Sequence, residues 1–188
     1  CCVDLKVLGV HVDGGMAELF KHPADMLIPI PDGMSYELAA VAEPLTIALH
    51  ALHRTKLKAG EHIAINGAGA IGLLAALAAL AYGAEPILID LVEERLAFAR
   101  KLGVKHTIDL SCQDLLPRLA EITNGRMAEV VMEASGANTA IRNTLDMGKP
   151  GRPHRSHRLA RQRDLAPHRC DHPQGVGYRW LPYQCRRI

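Results

Sequence analysis

Three absences bound what this chain can be. No uninterrupted apolar run reaches the roughly 18 residues that a membrane-spanning helix needs. The longest candidate, Ala64 to Ala84, is broken by Asn66 and by Gly67, Gly69, Gly72 and Gly83, so no membrane partner is expected. No secretory signal is visible, because the start Cys1-Cys2-Val3-Asp4 offers neither a charged head nor an apolar stretch. Cytoplasm is the expected compartment. No disulfide framework is legible either: the five cysteines (Cys1, Cys2, Cys112, Cys170, Cys185) make an odd count without a repeating spacing, which fits reducing surroundings. The first residue is not Met, and a start inside a longer reading frame is the expectation.

What is present is a chain of 188 residues, 48% apolar and 22% charged. That is enough for one sizeable domain with a buried core and a small appendage. Its net charge of +2 hides a division along the chain. From Gly148 onward there are ten Lys/Arg and two Asp/Glu; the residues before it hold twelve and eighteen. An acidic body therefore carries a basic tail.

Residues 1–35 read as irregular and extended pieces, with a turn at Val12-Asp13-Gly14-Gly15 and a short apolar strand from Met26 that closes in a turn at Pro31-Asp32-Gly33. Ser35 reads as the N-cap of a helix, which Pro44 interrupts or restarts before it continues from Thr46 to Thr55. From His62 the pattern becomes regular. Short buried strands are expected at His62 to Asn66, Pro86 to Asp90, His106 to Asp109 and Glu129 to Glu133, alternating with helices at Leu73 to Tyr82, Val92 to Leu102 and Cys112 to Thr123. Such alternation predicts an α/β fold with a doubly wound parallel sheet, here truncated to four strands in the spatial order 3-2-1-4. Beyond Met147 no apolar period continues, so residues 148–188 read as a basic tail outside the fold.

The strongest chemical signal is Gly67-x-Gly69-x-x-Gly72 between a strand and a helix. The spacing alone is weak; the context supplies the reason for each glycine. The first permits a tight turn, the second lets a pyrophosphate approach the backbone, and the third lets helix pack on strand. The phosphates would then meet the unpaired N–H groups and positive end of the helix beginning near Ala70. Asp90 ends the next strand eighteen positions after Gly72, where a carboxylate can accept hydrogen bonds from both ribose hydroxyls and repel a 2′-phosphate. NAD is favoured over NADP on that ground. Arg95, five residues on, is either an exposed member of an i,i+4 pair or a cofactor contact.

Taken in order, Gly14-Gly15-Met16-Ala17-Glu18-Leu19-Phe20, Ala42-Glu43-Pro44-Leu45, Ala59-Gly60-Glu61 leading into the glycine loop, and Glu133-Ala134-Ser135-Gly136 resemble the zinc-containing medium-chain dehydrogenases, most closely their polyol and sugar-acid branch. The resemblance runs from Cys1 to about Met147. It implies a Rossmann domain over 56–147 preceded, over 1–55, by a remnant of a GroES-like catalytic domain with its linking helix. It further implies hydride transfer between NAD and the secondary alcohol of a polyol or sugar acid, with zinc polarising the oxygen. Carried over by position, Gly67, Gly69, Ile71 and Gly72 match the pyrophosphate loop, and Asp90 with Arg95 the adenosine-ribose site. Glu43 matches a carboxylate at the catalytic zinc, and Cys2 the last of four cysteines around a structural zinc. A homo-oligomer is implied, and neither nucleic acid nor membrane.

The chain also departs from that pattern. The other catalytic zinc ligands and the remaining three structural cysteines are absent, so zinc sites are not expected to close. His50 and His53, three apart on a helix, read as surface or satisfied core residues rather than ligands. An S-adenosylmethionine methyltransferase and a non-catalytic dinucleotide-binding module share the loop, but Glu43-Pro44 has no role in the former. The tail, with Tyr178, Trp180 and Tyr183 among its arginines, has the charge of a nucleic-acid arm and no motif of one. Loss of the far half of the sheet is expected to leave the fourth strand as an open, aggregation-prone border. Back-translated and read one base later, Pro153 to Ala160 allows Arg-Ile-Ala-Leu-Thr-Gly-Trp, the kind of strand the family has there. A frameshift near Met147 is therefore expected; sequencing the coding DNA across that codon should reveal the shifted frame, and a single unbroken frame would remove the idea.

Overall fold

The computed structural model describes residues 6–149 and the backbone of residues 155–158. These divide into two compact units, one reaching Ala39 and one beginning at Ala40. Among the described residues no helix is long and apolar enough to cross a membrane.

The first unit has little regular structure: a one-turn 3-10 helix at Ala24–Met26, and α1 at Tyr36–Ala40 at its end. The strand expected from Met26 is not formed. Pro29 and Pro31 remove two of the N–H donors that a ladder needs, and Ile28 is 91% exposed. The turn that was to close it is present, with the Met34 N–H on the Pro31 carbonyl at 3.1 Å.

The second unit is built on a parallel sheet. Its strands are β1 (His62–Asn66), β2 (Glu85–Asp90), β3 (His106–Asp109), β4 (Val130–Glu133) and β5 (Arg155–Arg158), in the order β3-β2-β1-β4-β5. The first four keep the expected order. Its helices are α2 (Ala42–Thr55), α3 (Ala70–Ala81), α4 (Glu93–Lys101), α5 (Leu115–Ile122) and α6 (Asn138–Asn143). Pro44 sits in the first turn of α2, where its missing N–H costs no intrahelical bond. The helix restarts there and runs to Thr55.

Side chains of the central strands alternate between two cores, as the period of two requires. Ile63, Ile65, Leu88, Val130 and Met132 join the core formed with α2, α3 and α4. Ala64, Ile87, Ile89, Ile108 and Val131 join the opposite one, with Leu119 of α5 and Met147. Helix α2 thus packs with the sheet and belongs to the same unit, although the sequence placed it with the segment before residue 56. Helix α5 begins later than expected because Asp109 and Gln113 hold the intervening residues in a turn: the Ser111 N–H donates to Asp109 Oδ1 at 2.8 Å, and the Asp109 N–H to Gln113 Oε1 at 3.0 Å.

Strand β5 corrects the reading of the tail. It pairs in parallel with all of β4, from Val130 opposite Arg155 to Glu133 opposite Arg158, so β4 is not the open border anticipated. A ladder is made by backbone groups, and the edge of β4 recruits a segment whose side chains show no apolar period. Residues 159–188 lie outside the described residues.

A polar cluster closes the opposite end of the sheet from the strand tips. His62 is 6% exposed, with Nε2 at 3.1 Å from Glu85 and Nδ1 at 3.7 Å from Glu129. The His62 backbone N–H donates to Glu129 at 2.9 Å, and Lys149 Nζ lies 3.5 Å from the same carboxylate. Burial pushes the Glu129 carboxyl up, but the His62 and Glu129 backbone N–H groups, Lys149 and His62 outweigh it, and the net direction is down. A carboxylate depressed in the folded state stabilises above its unfolded pKa and loses that contribution as pH falls through its folded one. Chemical denaturation as a function of pH should therefore show stability falling below about pH 4, with a shallower fall in Glu129→Gln. An identical pH profile in the variant would contradict this role.

Candidate functional site

The loop after β1 is shaped by two backbone contacts that admit only glycine. Gly67 has φ +98°, and a Cβ placed on it would lie 2.9 Å from the Ser135 nitrogen. A Cβ on Gly72 would lie 1.8 Å from the Gly67 carbonyl oxygen, so α3 can start this close to the loop only without a side chain there. Gly69 differs from both. Its φ is −71° and its Cβ position meets no heavy atom within 4 Å. It is the residue before α3, so the free space at Gly69 adjoins the N–H groups of the helix's first turn, which have no intrahelical partner. Ile71, partly buried, packs from that turn against the core beneath.

Asp90 ends β2 beside this loop. Its Oδ2 accepts the Ala68 N–H at 2.6 Å, and its Oδ1 accepts the Leu91 and Val92 N–H groups at 2.8 and 2.9 Å. Arg95, more than half exposed, approaches Oδ2 at 3.6 Å. The i,i+4 partner considered for Arg95 is thus replaced by Asp90, five residues away. The Gly67 N–H donates to the Ile89 carbonyl at 2.7 Å, which ties the loop to β2 a second time. Loop, helix start and carboxylate therefore form one hydrogen-bonded constellation at the tips of β1 and β2.

The residues expected to bind a dinucleotide, Gly67, Gly69, Ile71, Gly72, Asp90 and Arg95, are brought together here. Of those expected to bind metal, Glu43 alone is among the described residues. Glu43 is exposed in the first turn of α2, where its backbone carbonyl accepts the Thr46 hydroxyl at 2.6 Å. Among the described residues no group of three or more His, Cys, Asp or Glu could hold a metal ion; these residues do not fit a zinc site. Cys2 lies outside the described residues. His50 and His53 are exposed on α2.

Sequence reasoning missed the far wall of the loop. Glu133 at the tip of β4 is 2% exposed and accepts bonds from Ser135 and Gly136. The signal was a strand-end carboxylate followed at +2 and +3 by Ser-Gly, a spacing that favours local side-chain to backbone bonding.

Comparison with known proteins agrees with this geometry. The family described as zinc-binding dehydrogenase matches residues 70–152. An uncharacterized zinc-type alcohol dehydrogenase-like protein of Haemophilus influenzae is 61% identical over 145 residues, covering 77% of this chain and 42% of that protein. Sorbitol dehydrogenase of Bacillus subtilis is 41% identical over 146 residues, covering 77% of this chain and 41% of the relative. A short chain alcohol dehydrogenase from E. coli CFT073, solved with the cofactor NADH, superposes with a TM-score of 0.75 at 28% identity, covering 81% of this chain and 45% of that one. The chain thus spans about two fifths of the length of the curated relatives it matches. Over that span, with its glycine loop, its strand order and its strand-tip carboxylate, it is similar to the zinc-type dehydrogenases.

Proposed function

We propose that the second unit is the dinucleotide seat of an NAD-dependent oxidoreductase acting on the secondary alcohol of a polyol or sugar acid. One observation carries the reading: of the three loop glycines, two are closed against backbone and the middle one faces free space at the start of a helix. A fold that needed glycine only for its own packing has no reason to leave that room. Bound there, NAD supplies the hydride acceptor. The chain's own residues seat it: the first-turn amides of α3 receive the diphosphate, and Asp90 faces the adenosine ribose.

Asp90 favours a free ribose over a 2′-phosphorylated one by charge. Both of its oxygens are already engaged, and the longest contact, from Arg95 at 3.6 Å, is the one that a ribose hydroxyl would exchange. The polyol assignment draws on the similarity to sorbitol dehydrogenase and on the Glu43-Pro44 pair. Glu43 gains no further metal-binding group among the described residues, so we infer binding without turnover from these residues, and no step here is routed through zinc. The cytoplasm and a homo-oligomeric assembly complete the proposal.

Calorimetric titration with NAD, NADP and S-adenosylmethionine tests the assignment. NAD should bind in preference to the other two; preference for S-adenosylmethionine would overturn it. Two alanine substitutions then separate binding from packing. Gly69→Ala adds a methyl group to open space, so the melting temperature should stay within about 2 °C, as for a substitution within roughly 0.5 kcal/mol, while NAD affinity falls. Gly72→Ala drives a methyl group into a carbonyl oxygen and should cost about 1–3 kcal/mol of stability as well as NAD binding. Unchanged NAD affinity in Gly69→Ala would sink the reading.

A further inference from the structure

Opposite α3, the seat is bounded by the turn that follows β4, and that turn is held by two buried polar side chains without an assigned role. Glu133 Oε1 accepts the Ser135 N–H at 2.8 Å, the Ser135 hydroxyl at 2.5 Å and the Gly136 N–H at 3.0 Å; Oε2 lies 3.3 Å from the same Gly136 nitrogen. Asn66, its register partner at the tip of β1, is 3% exposed and donates Nδ2 to the Ala140 carbonyl at 3.3 Å. The Ala134 N–H donates to the Asn66 carbonyl at 2.8 Å, which closes the ladder between the two tips. Two adjacent strand ends thus grip one segment, residues 135–140, from below.

That segment bears directly on the loop. The Ser135 nitrogen and Cα stand 2.9 and 3.0 Å from the place where a Gly67 side chain would begin. The position of the first loop glycine is therefore set on one side by β2, through Ile89, and on the other by the Ser135 turn. A buried carboxylate is a costly way to hold a turn unless donors converge on it. Here three do, and each belongs to Ser135 or Gly136.

We propose that Glu133, assisted by Asn66, is the positioning residue of the dinucleotide seat: its carboxylate fixes the Ser135-Gly136 turn against Gly67 and so holds the phosphate loop in binding geometry before any ligand arrives. The proposal rests on the reading that this loop seats a dinucleotide. Its consequence is that removing the Glu133 charge weakens binding without touching a ligand-contacting group, because the loop must then be ordered at the moment of binding.

The test compares Glu133→Gln with Leu119→Ala, a cavity variant in the other core, where Leu119 is fully buried. Titration with NAD, amide hydrogen exchange and thermal melting are measured on each variant of the whole 188-residue chain. Glu133→Gln should weaken NAD binding by about tenfold, the effect of one charge-assisted hydrogen bond, and speed exchange at the Gly67 and Ala68 amides. Leu119→Ala should lower the melting temperature at least as far with NAD affinity unchanged. Should Glu133→Gln fail to fold, Ser135→Ala leaves the carboxylate in place, removes the hydroxyl that donates to it and accepts the Ala137 N–H, and should shift affinity and exchange the same way by less. Wild-type affinity and exchange in the Glu133 or Ser135 variant, or an equal loss of affinity in Leu119→Ala, would overturn the proposal. If the native chain binds no NAD, the functional reading fails on its own. The positioning role is then decided by exchange alone: faster exchange at Gly67 and Ala68 in the variant upholds it, and unchanged rates overturn it.

Discussion

How closely the backbone of Gly72 approaches the carbonyl of Gly67 governs the mouth of this sheet. A side chain on Gly72 would begin 1.8 Å from that oxygen, a separation that no pair of nonbonded atoms tolerates. Because the third glycine removes this obstacle, α3 starts directly over the tip of β1, and its first-turn amides face the free space beside Gly69. This one approach sets the positive end of the helix beside the open middle glycine, and the Ala68 N–H joins the same loop to the Asp90 carboxylate. A larger residue at position 72 would move all three relative to one another.

The surrounding structure keeps that approach fixed. From one side the Gly67 N–H is bound by the Ile89 carbonyl and the Ala68 N–H by Asp90. From the other, the Ser135 turn stands at contact distance from Gly67. Beneath, Ile63, Ile65, Leu88 and Met132 form a core with the alanine-rich inner face of α3. Small side chains on that face, Ala75, Ala76 and Ala79, are fully buried and let the helix lie close to the strands. Core packing and loop geometry thus support the same arrangement, which is the mutual consistency expected of a foldable sequence.

Much of this was legible in the sequence because each signal was local. Apolar strand runs, the glycines that follow α3, α4 and α5 (Gly83, Gly103 and Gly125) and the distance from Gly72 to Asp90 all lie within short windows, and the structure places them as read. The misses came where the deciding interaction was remote or came from the backbone. The apolar run after Met26 resembles a strand, yet two prolines remove donors that a partner would need. Arg155–Arg158 has no apolar period, but β4 offers a complete row of backbone groups and β5 pairs with it. Glu133 was visible as a motif letter. Its role depends on where the following turn meets Gly67, and no spacing along the chain encodes that.

A diphosphate received by the backbone between Gly69 and Gly72, with the carboxylate of Asp90 facing the ribose, would disturb the amides at both places. Residue-resolved NMR of the full chain titrated with NAD tests it directly. The largest amide shifts should fall on Gly69, Ala70, Ile71 and Gly72 and on Ala68, Leu91 and Val92, whose N–H groups share Asp90. Saturable shifts clustered elsewhere on the sheet, with these seven amides unmoved, would contradict it.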